Sequence, residues 1–253
     1  MNHSTFDITA ENAEPSSASP ASPLSCKIKA STLTCIVGEN HPLNISFMRM
    51  LAGLDKPRLG RVLLFGENLN EMDEQLRRDL RLKIGFVDVE AHLLSVLSGY
   101  DNLKMPAHYH GVGSHEEIEE RAERLIADID YDANHDVIPA YMTGLQKRHL
   151  TIARALMLKP SVLFLDNPLD GLDHFARQLI TGYLIKVLKQ RGMAIVTCNT
   201  DIIFVNENAD KIIFIGMEKT LTFDNWEGFT SSKNNDVIKF LGREKIILRV
   251  DYL

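Results

Sequence analysis

The sequence has little cysteine. Its 253 residues include Cys26, Cys35 and Cys198, and three thiols at such wide spacing are too few to predict a disulfide framework or a zinc site. We therefore expect buried, reduced thiols, because a free cysteine behaves mostly as a small apolar side chain.

Long apolar runs are also missing. The most apolar stretches, Ala194–Cys198 and Lys211–Ile215, are far shorter than the roughly 18 residues that a membrane-spanning helix needs. They predict buried strands. The first residues have neither the basic region nor the apolar region of a secretory signal, so we expect a cytoplasmic chain.

Positive charge is in the minority. Lysine and arginine number 28 against 34 acidic residues, which gives a formal net charge of −6 and argues against nucleic acid as the main partner. Hydrophobic residues make up 45% and charged residues 25%, as in ordinary globular domains. The length suits one large α/β domain, or a core with a sub-domain.

The pattern along the chain predicts an α/β fold. Residues 1–23 are rich in Ser, Pro, Ala and Glu, a composition that predicts a flexible segment because it offers little apolar surface to offset the entropy of ordering. Beyond it, strands alternate with helices, which predicts a parallel sheet covered on both faces. Predicted strands lie at 33–37, 62–65, 83–87, 161–165, 193–197 and 211–214, and predicted helices at 45–54, 69–81, 116–129 and 174–190.

Two adjoining stretches carry a resemblance to a known family. Met142–Leu156 reads MTGLQKRHLTIARAL and Lys159–Asp173 reads KPSVLFLDNPLDGLD. Together they resemble the signature motif, its helix, the Walker B strand and the D-loop of ABC transporter ATPases. The resemblance covers about residues 24–225. It implies a P-loop NTPase (RecA-like) core with a parallel sheet, a helical sub-domain at about 88–155 and a C-terminal extension at 226–253.

The loop Gly38–Ser46 lies where the resemblance places the Walker A motif. The family pattern is G-x-x-G-x-G-K-[ST]-[ST], and this chain reads GENHPLNIS. Such a loop holds ATP through inward-pointing backbone N–H groups and a lysine, and it holds Mg²⁺ through a hydroxyl. Gly38 and Ser46 are kept, whereas Asn44 replaces the lysine and Ile45 replaces the hydroxyl.

Two further changes in this loop predict weak ATP binding. Pro42 has no N–H and biases the residue before it toward extended backbone. Leu43 stands where a glycine is expected, and a left-handed conformation there would cost about 1–2 kcal/mol. The amide of Asn44 also cannot supply the positive charge that a lysine brings to a triphosphate. ATP and Mg²⁺ are the cofactors that the resemblance implies, and we expect the chain to bind them poorly.

The residues that would hydrolyse ATP are replaced as well. The resemblance places Asp166 at the Walker B carboxylate, where it could still ligate a metal, but Asn167 follows it where the family has a carboxylate. An amide can orient a water molecule but cannot accept its proton. Val89 stands in place of the Q-loop glutamine, and Cys198 in place of the switch histidine. We therefore expect no catalytic residue, with Asn167, Val89 and Cys198 as degenerate equivalents.

The signature loop is better kept. Thr143 retains a hydroxyl, and Gly144 and Gln146 are present. In this family the loop reaches across a dimer to the γ-phosphate on the other subunit, a task that suits a helix N-terminus. Asp173 of the D-loop is also kept. These residues either complete a partner's ATP site or serve only to cap and pack their helices.

The resemblance implies a subunit of a membrane transporter. We expect a degenerate ATP-binding subunit, structural or regulatory, at the inner (plasma) membrane. Its partners would be transmembrane permease subunits, contacted through residues 90–110, and a second ATP-binding subunit in a homodimer or heterodimer. Residues 91–106 resemble subunits of lipid and lipoprotein transport systems. Two alternatives stay open: an active ATPase for such transport, with rescued or partner-completed catalysis, and a free interaction module.

Overall fold

The computed structural model describes residues 7–17, 22–90, 92–129, 136–199 and 201–250, with side chains described up to residue 243. The strands are β1 (Asp7–Pro15), β2 (Leu24–Lys29), β3 (Leu33–Val37), β4 (Pro57–Leu64), β5 (Glu67–Asn68), β6 (Ile84–Val87), β7 (Val162–Asp166), β8 (Ala194–Cys198), β9 (Lys211–Ile215) and β10 (Thr220–Phe223). The helices are α1 (His41–Leu51), α2 (Glu74–Arg81), α3 (Gly99–His110), α4 (His115–Asp128), α5 (Gly144–Leu156), α6 (His174–Arg191), α7 (Ile202–Asn208), α8 (Trp226–Thr230) and α9 (Asn235–Val250). Within these ranges, no helix combines the length and apolar character needed to cross a membrane.

A six-stranded sheet forms the centre of the molecule. Its strand order is β10-β9-β3-β8-β7-β6, and every neighbouring pair is parallel except β9 with β10. Strands β3, β7 and β8 are buried along their whole length, as strands covered on both faces must be. One apolar cluster, which includes Leu150 and Ile180, packs on one face, and another, which includes Phe47 and Met48, packs on the other. The predicted α/β fold with a parallel sheet is therefore confirmed.

A second sheet corrects the prediction for the N-terminus. Its order is β2-β1-β4-β5, and its pairs are antiparallel. Asp7–Pro15 is thus a strand, and the prediction of a flexible segment was wrong there. The reason is a short alternation: Ile8 and Ala10 are buried in the same core cluster as Phe47. Residues 1–6 and 18–21 of the predicted flexible segment lie outside the described residues.

The helices α3, α4 and α5 lie between β6 and β7 in the chain and pack on one another. Helix α5 also contacts β6 and α6, so it joins this group to the central sheet. The boundaries of the helical sub-domain, 88–155, stay a prediction.

The C-terminal segment packs against the antiparallel end of the central sheet. Phe229 in α8 is fully buried, and the rings of Phe214, Phe223, Trp226 and Phe240 surround it. Further along α9, Arg243 forms an ion pair of 2.7 Å with Glu39 in the loop after β3. The segment after residue 225 is therefore attached to the core close to the Walker A position.

Candidate functional site

The carboxyl ends of three neighbouring strands bring the main candidate residues together. Strands β3, β8 and β7 are adjacent and parallel, so their carboxyl ends lie at one edge of the sheet, where α/β folds bind their ligands. Gly38 follows β3, while Asp166 and Cys198 are the last residues of β7 and β8. The structure thus places these three predicted site residues at a common edge.

Helix α1 begins four residues earlier than predicted, at His41 rather than Ile45. Asn40 caps it: its Oδ1 accepts a hydrogen bond from the N–H of Leu43 at 3.1 Å, and its carbonyl accepts one from the N–H of Asn44 at 3.0 Å. An asparagine cap followed by Pro42 in the first turn is a strong helix start. The prediction of a loop at these positions was therefore wrong, because the local capping signal decides the conformation.

The side chains of the next turn are engaged within the protein. Asn44 is 2% exposed, and its Nδ2 donates to the carbonyl of Gly38 at 2.9 Å. Ile45 packs against the apolar core. The hydroxyl of Ser46 donates to the carbonyl of Pro42 at 2.9 Å. Gly38 has a packing role, because a Cβ there would lie 2.5 Å from the carbonyl oxygen of Ile215.

His41 is a site residue that sequence reasoning missed. Its Nε2 lies 3.3 Å from Oδ1 of Asp166, and its Nδ1 lies 3.7 Å from Sγ of Cys198. The imidazole is therefore inserted between the start of α1 and the ends of β7 and β8. The signal was weak, because the position of His41 depends on where α1 begins and on strands more than a hundred residues away.

The electrostatics of this edge favour the neutral forms of its acids. Burial is the main cause that raises the pKa of Asp166, and the nearby Asp88 raises it further. His41, the backbone of Val89 and Arg148 lower this pKa. Burial raises the pKa of the Cys198 thiol far above its ordinary value, and the negative charge of Asp166 adds to this effect. A positive charge placed among these groups would stabilise both anions.

The segment after β6 is tied to α5. The guanidinium of Arg148, a buried residue, donates to the carbonyls of Val89 at 2.7 Å and Asp88 at 3.3 Å. The backbone of Val89 also lies close enough to Asp166 to lower the pKa of its carboxyl. The main chain at the predicted Q-loop position therefore lies beside the carboxylate of Asp166.

Asn167 and the residues after β8 brace the strand ends. Asn167 is buried and has a positive φ of 44°, and its N–H donates to the carbonyl of Cys198 at 2.7 Å. Asn199 donates its N–H to the carbonyl of Ile36 at 3.1 Å and accepts from the N–H of Asp201 at 2.7 Å. These contacts fix the backbone on both sides of Cys198.

The signature and D-loop residues cap helices. Thr143 and Gln146 form a capping box at the start of α5: the hydroxyl of Thr143 accepts from the N–H of Gln146 at 3.2 Å, and the side chain of Gln146 accepts from the N–H of Thr143 at 2.8 Å. Gly144 is the first residue of α5, and Asp173 caps α6 through the N–H of Ala176. These residues therefore cap their helices in the structure, and both a purely structural role and a contact with a nucleotide on a partner stay predictions.

Comparisons with known proteins agree with this architecture. A protein-family model described as "ABC transporter" matches residues 21–170 of this chain. The uncharacterized ABC transporter ATP-binding protein YbbA of Escherichia coli K12 is 30% identical over 69% of this chain and 77% of its own. The methionine import ATP-binding protein MetN of Latilactobacillus sakei is 26% identical over 90% of this chain, and the macrolide export ATP-binding/permease protein MacB 1 of Yersinia pestis is 32% identical over 70%. The matches span 66% of MetN and 27% of MacB 1.

Solved structures share the fold. CbiO1 from Clostridium perfringens, part of the ABC transporter complex CbiONQ, superposes with a TM-score of 0.79 over 98% of this chain and 100% of its own, at 23% identity. The dimeric ATP-binding cassette MJ0796 bound to ADP and phosphate superposes with a TM-score of 0.75 over 86% of this chain and 98% of its own, at 22% identity. By the family match and the similarity to YbbA, the chain belongs to the ABC transporter family.

Proposed function

We propose that this chain is a degenerate ATP-binding subunit of an ABC transporter, with a structural or regulatory role and little or no ATP turnover of its own. The observation that carries the proposal is the early start of α1. Its first turn occupies the place of the phosphate-binding loop, and Asn40 engages the N–H groups of Leu43 and Asn44.

The residues at this position do not fit a triphosphate. The two N–H groups that Asn40 engages are directed to the cap, and Pro42 has none to offer. Asn44 is turned into the protein toward the carbonyl of Gly38 and is neutral. A hydrogen bond to a charged group is worth about 1.5–3 kcal/mol. Losing the lysine contact and one backbone contact therefore weakens binding by roughly 10²–10⁴-fold.

The groups for Mg²⁺ and for water activation are also a poor fit. Asp166 offers a carboxylate, but the side chain of Ile45 has no oxygen for Mg²⁺. The hydroxyl of Ser46 already donates to the carbonyl of Pro42 in the same helix. Asn167 cannot act as a general base, and Cys198 is a buried thiol whose burial favours the protonated form. We therefore assign no catalytic residue to this chain.

A membrane-spanning partner follows from the family. In the family, a surface that follows the Q-loop receives a helix of the permease, and here Leu94 and Val96 of that region are 46% and 86% exposed. The names of the relatives point the same way, since MacB 1 is an ATP-binding/permease protein. We propose a chain peripheral to the inner membrane, held there by permease subunits, and paired with a second copy or with another ATP-binding subunit.

An active ATPase in lipid or lipoprotein transport is the alternative. It is favoured by Thr143, Gly144 and Gln146, which keep the start of α5 close to the family pattern, and by Asp173 at the start of α6. In a heterodimer these helix starts would complete the ATP site of the partner, because helix N-termini attract anions.

Steady-state phosphate release distinguishes these functions. Wild type and Asp166→Ala are compared as purified chains, and again in the detergent-solubilised complexes that each of them captures. The proposal predicts that both proteins alone give only background release and that wild type co-purifies with membrane proteins. Release by wild type alone that disappears in Asp166→Ala would overturn the proposal and establish the active ATPase. Release only in the complex, insensitive to Asp166→Ala, would place turnover in the partner.

A further inference from the structure

We propose that His41, Asp166 and Cys198 form a binding site for a thiophilic divalent metal ion, of which Zn²⁺ is the best match. The site lies at the carboxyl edge of the central sheet. It goes beyond the proposed function and does not depend on whether ATP binds.

The three side chains lie close enough to converge on one tetrahedral ion after a rotation of the His41 ring. The offered ligand atoms all lie within 4.8 Å of one another. The shorter separations are 3.3 Å between Nε2 of His41 and Oδ1 of Asp166, and 3.7 Å between Nδ1 of His41 and Sγ of Cys198. Zinc bonds of about 2.0–2.3 Å place ligand atoms roughly 3.3–3.8 Å apart. Only one imidazole nitrogen can bind the ion, whereas the two short distances involve different nitrogens. The His41 ring, whose side chain is 36% exposed, must therefore rotate to bring one nitrogen within reach of an ion that also contacts Asp166 and Cys198.

One buried oxygen at the site has no hydrogen-bond partner among the residues that the structure describes. Oδ1 of Asp166 is buried and, among the described residues, accepts no hydrogen bond. Nε2 of His41 lies 3.3 Å from it and forms an ion pair with it only when the imidazole is protonated. The Asp166 side chain is only 9% exposed. A buried acceptor that lacks its partner is costly, and a bound cation would supply the missing interaction.

The ligand chemistry selects the ion. Imidazole, thiolate and carboxylate together match Zn²⁺ or Co²⁺, whereas Mg²⁺ prefers six oxygen ligands in an octahedral arrangement. Three protein ligands leave a fourth position for water, as in zinc sites that keep an open coordination position. The ion would also offset the cost of ionising the buried Cys198 and Asp166, and binding would release the thiol proton.

The backbone around the ligands is held in place. The N–H of Asn167 donates to the carbonyl of Cys198 at 2.7 Å, and the N–H of Asn199, the next residue after Cys198, donates to the carbonyl of Ile36 at 3.1 Å. Such outer contacts orient metal ligands and fix their spacing. His41 sits at the start of α1, so an ion bound there would connect that helix to the ends of β7 and β8.

Titration of the metal-free chain with Co²⁺, without nucleotide and under reducing conditions, tests the site. We expect about one equivalent to bind, with the visible bands of tetrahedral Co²⁺ and a near-ultraviolet thiolate charge-transfer band, and Zn²⁺ but not Mg²⁺ to displace it. Cys198→Ser should abolish the charge-transfer band, and His41→Ala should weaken binding at least about 100-fold, more than the 10–100-fold typical of outer contacts.

Matched controls separate this site from other thiols and histidines. Cys26→Ser removes a half-buried thiol in the other sheet, and His108→Ala removes one ring of the stacked pair with His115; both should bind Co²⁺ like wild type. If Cys198→Ser fails to fold by circular dichroism, His41→Ala decides, since the His41 side chain is partly exposed and its loss should be tolerated better. A charge-transfer band that survives Cys198→Ser, or an affinity unchanged in His41→Ala, would overturn the proposal. ATP binding is measured separately, so the two proposals fail independently.

Discussion

Replacing Asn44 with lysine restores the family residue at the Walker A position and tests whether the loop can still act as a phosphate cradle. The amide of Asn44 is 2% exposed and donates to the carbonyl of Gly38 at 2.9 Å. A lysine there loses this hydrogen bond, worth about 1 kcal/mol. It also forces a longer side chain into a packed site, at about 1–3 kcal/mol.

Asn44→Lys should therefore lower the free energy of unfolding by about 2–4 kcal/mol, which corresponds to a fall in Tm of roughly 4–16 °C for a chain of this size. It should not restore ATP binding, because the backbone N–H groups of this turn would still be unavailable to phosphate. Asn40 accepts hydrogen bonds from two of them, and Pro42 has no N–H. Urea unfolding and a nucleotide titration measure the two effects.

Ser46→Lys is the matched control, because it adds the same charge two residues later, at a less buried position of the same helix. It should change the stability by less than about 1 kcal/mol. A stable Asn44→Lys protein that binds ATP in the micromolar range would refute the reasoning, since the loop would then be an intact cradle that lacks only its charge.

Three further changes have outcomes that the contacts determine. Thr143→Ala removes the hydroxyl of the capping box with Gln146 and should cost about 1 kcal/mol in urea unfolding, whereas Thr143→Ser should cost little. Arg148→Met keeps an apolar stem but removes the hydrogen bonds to the carbonyls of Asp88 and Val89; we expect a loss of about 2 kcal/mol, and a loss below half of that would contradict the bracing role. Burial lowers the pKa of His149 to about 4, so the folded chain binds fewer protons than the unfolded chain below the ordinary value of about 6.5. Stability should fall between pH 6.5 and 4 by up to about 3 kcal/mol, and His149→Gln should flatten this slope.

The central sheet could be predicted well because its strands are fully buried. Leu33–Val37 has the predicted bounds, and β7 and β8 are shifted by a single residue. Short apolar runs bounded by turn residues favour buried strands over helices because of their length and composition. Strand β1 could not be predicted, because its neighbours rich in Ser and Pro dominated the composition of the segment and its buried residues alternate over a short stretch only.

The candidate site was predicted in part. The strand ends with Asp166 and Cys198 followed from the order of the family motifs, and the structure places both at one edge of the sheet. The start of α1 was misplaced, because the alignment with a phosphate-binding loop was given more weight than Asn40 and Pro42, which are the stronger local signal. With α1 misplaced, His41 was assigned to a loop, and its approach to β7 and β8 could not be expected.

The central claim, that this ATP site is degenerate, is tested most directly by an equilibrium titration of the purified chain with Mg-ATP, read by heat or by fluorescence. The chain is first stripped of transition metals, so that an ion at His41 cannot mask a nucleotide site. The account predicts no saturable binding up to millimolar ATP. Saturable micromolar binding would contradict it, and would mean that the first turn of α1 opens to receive the phosphates.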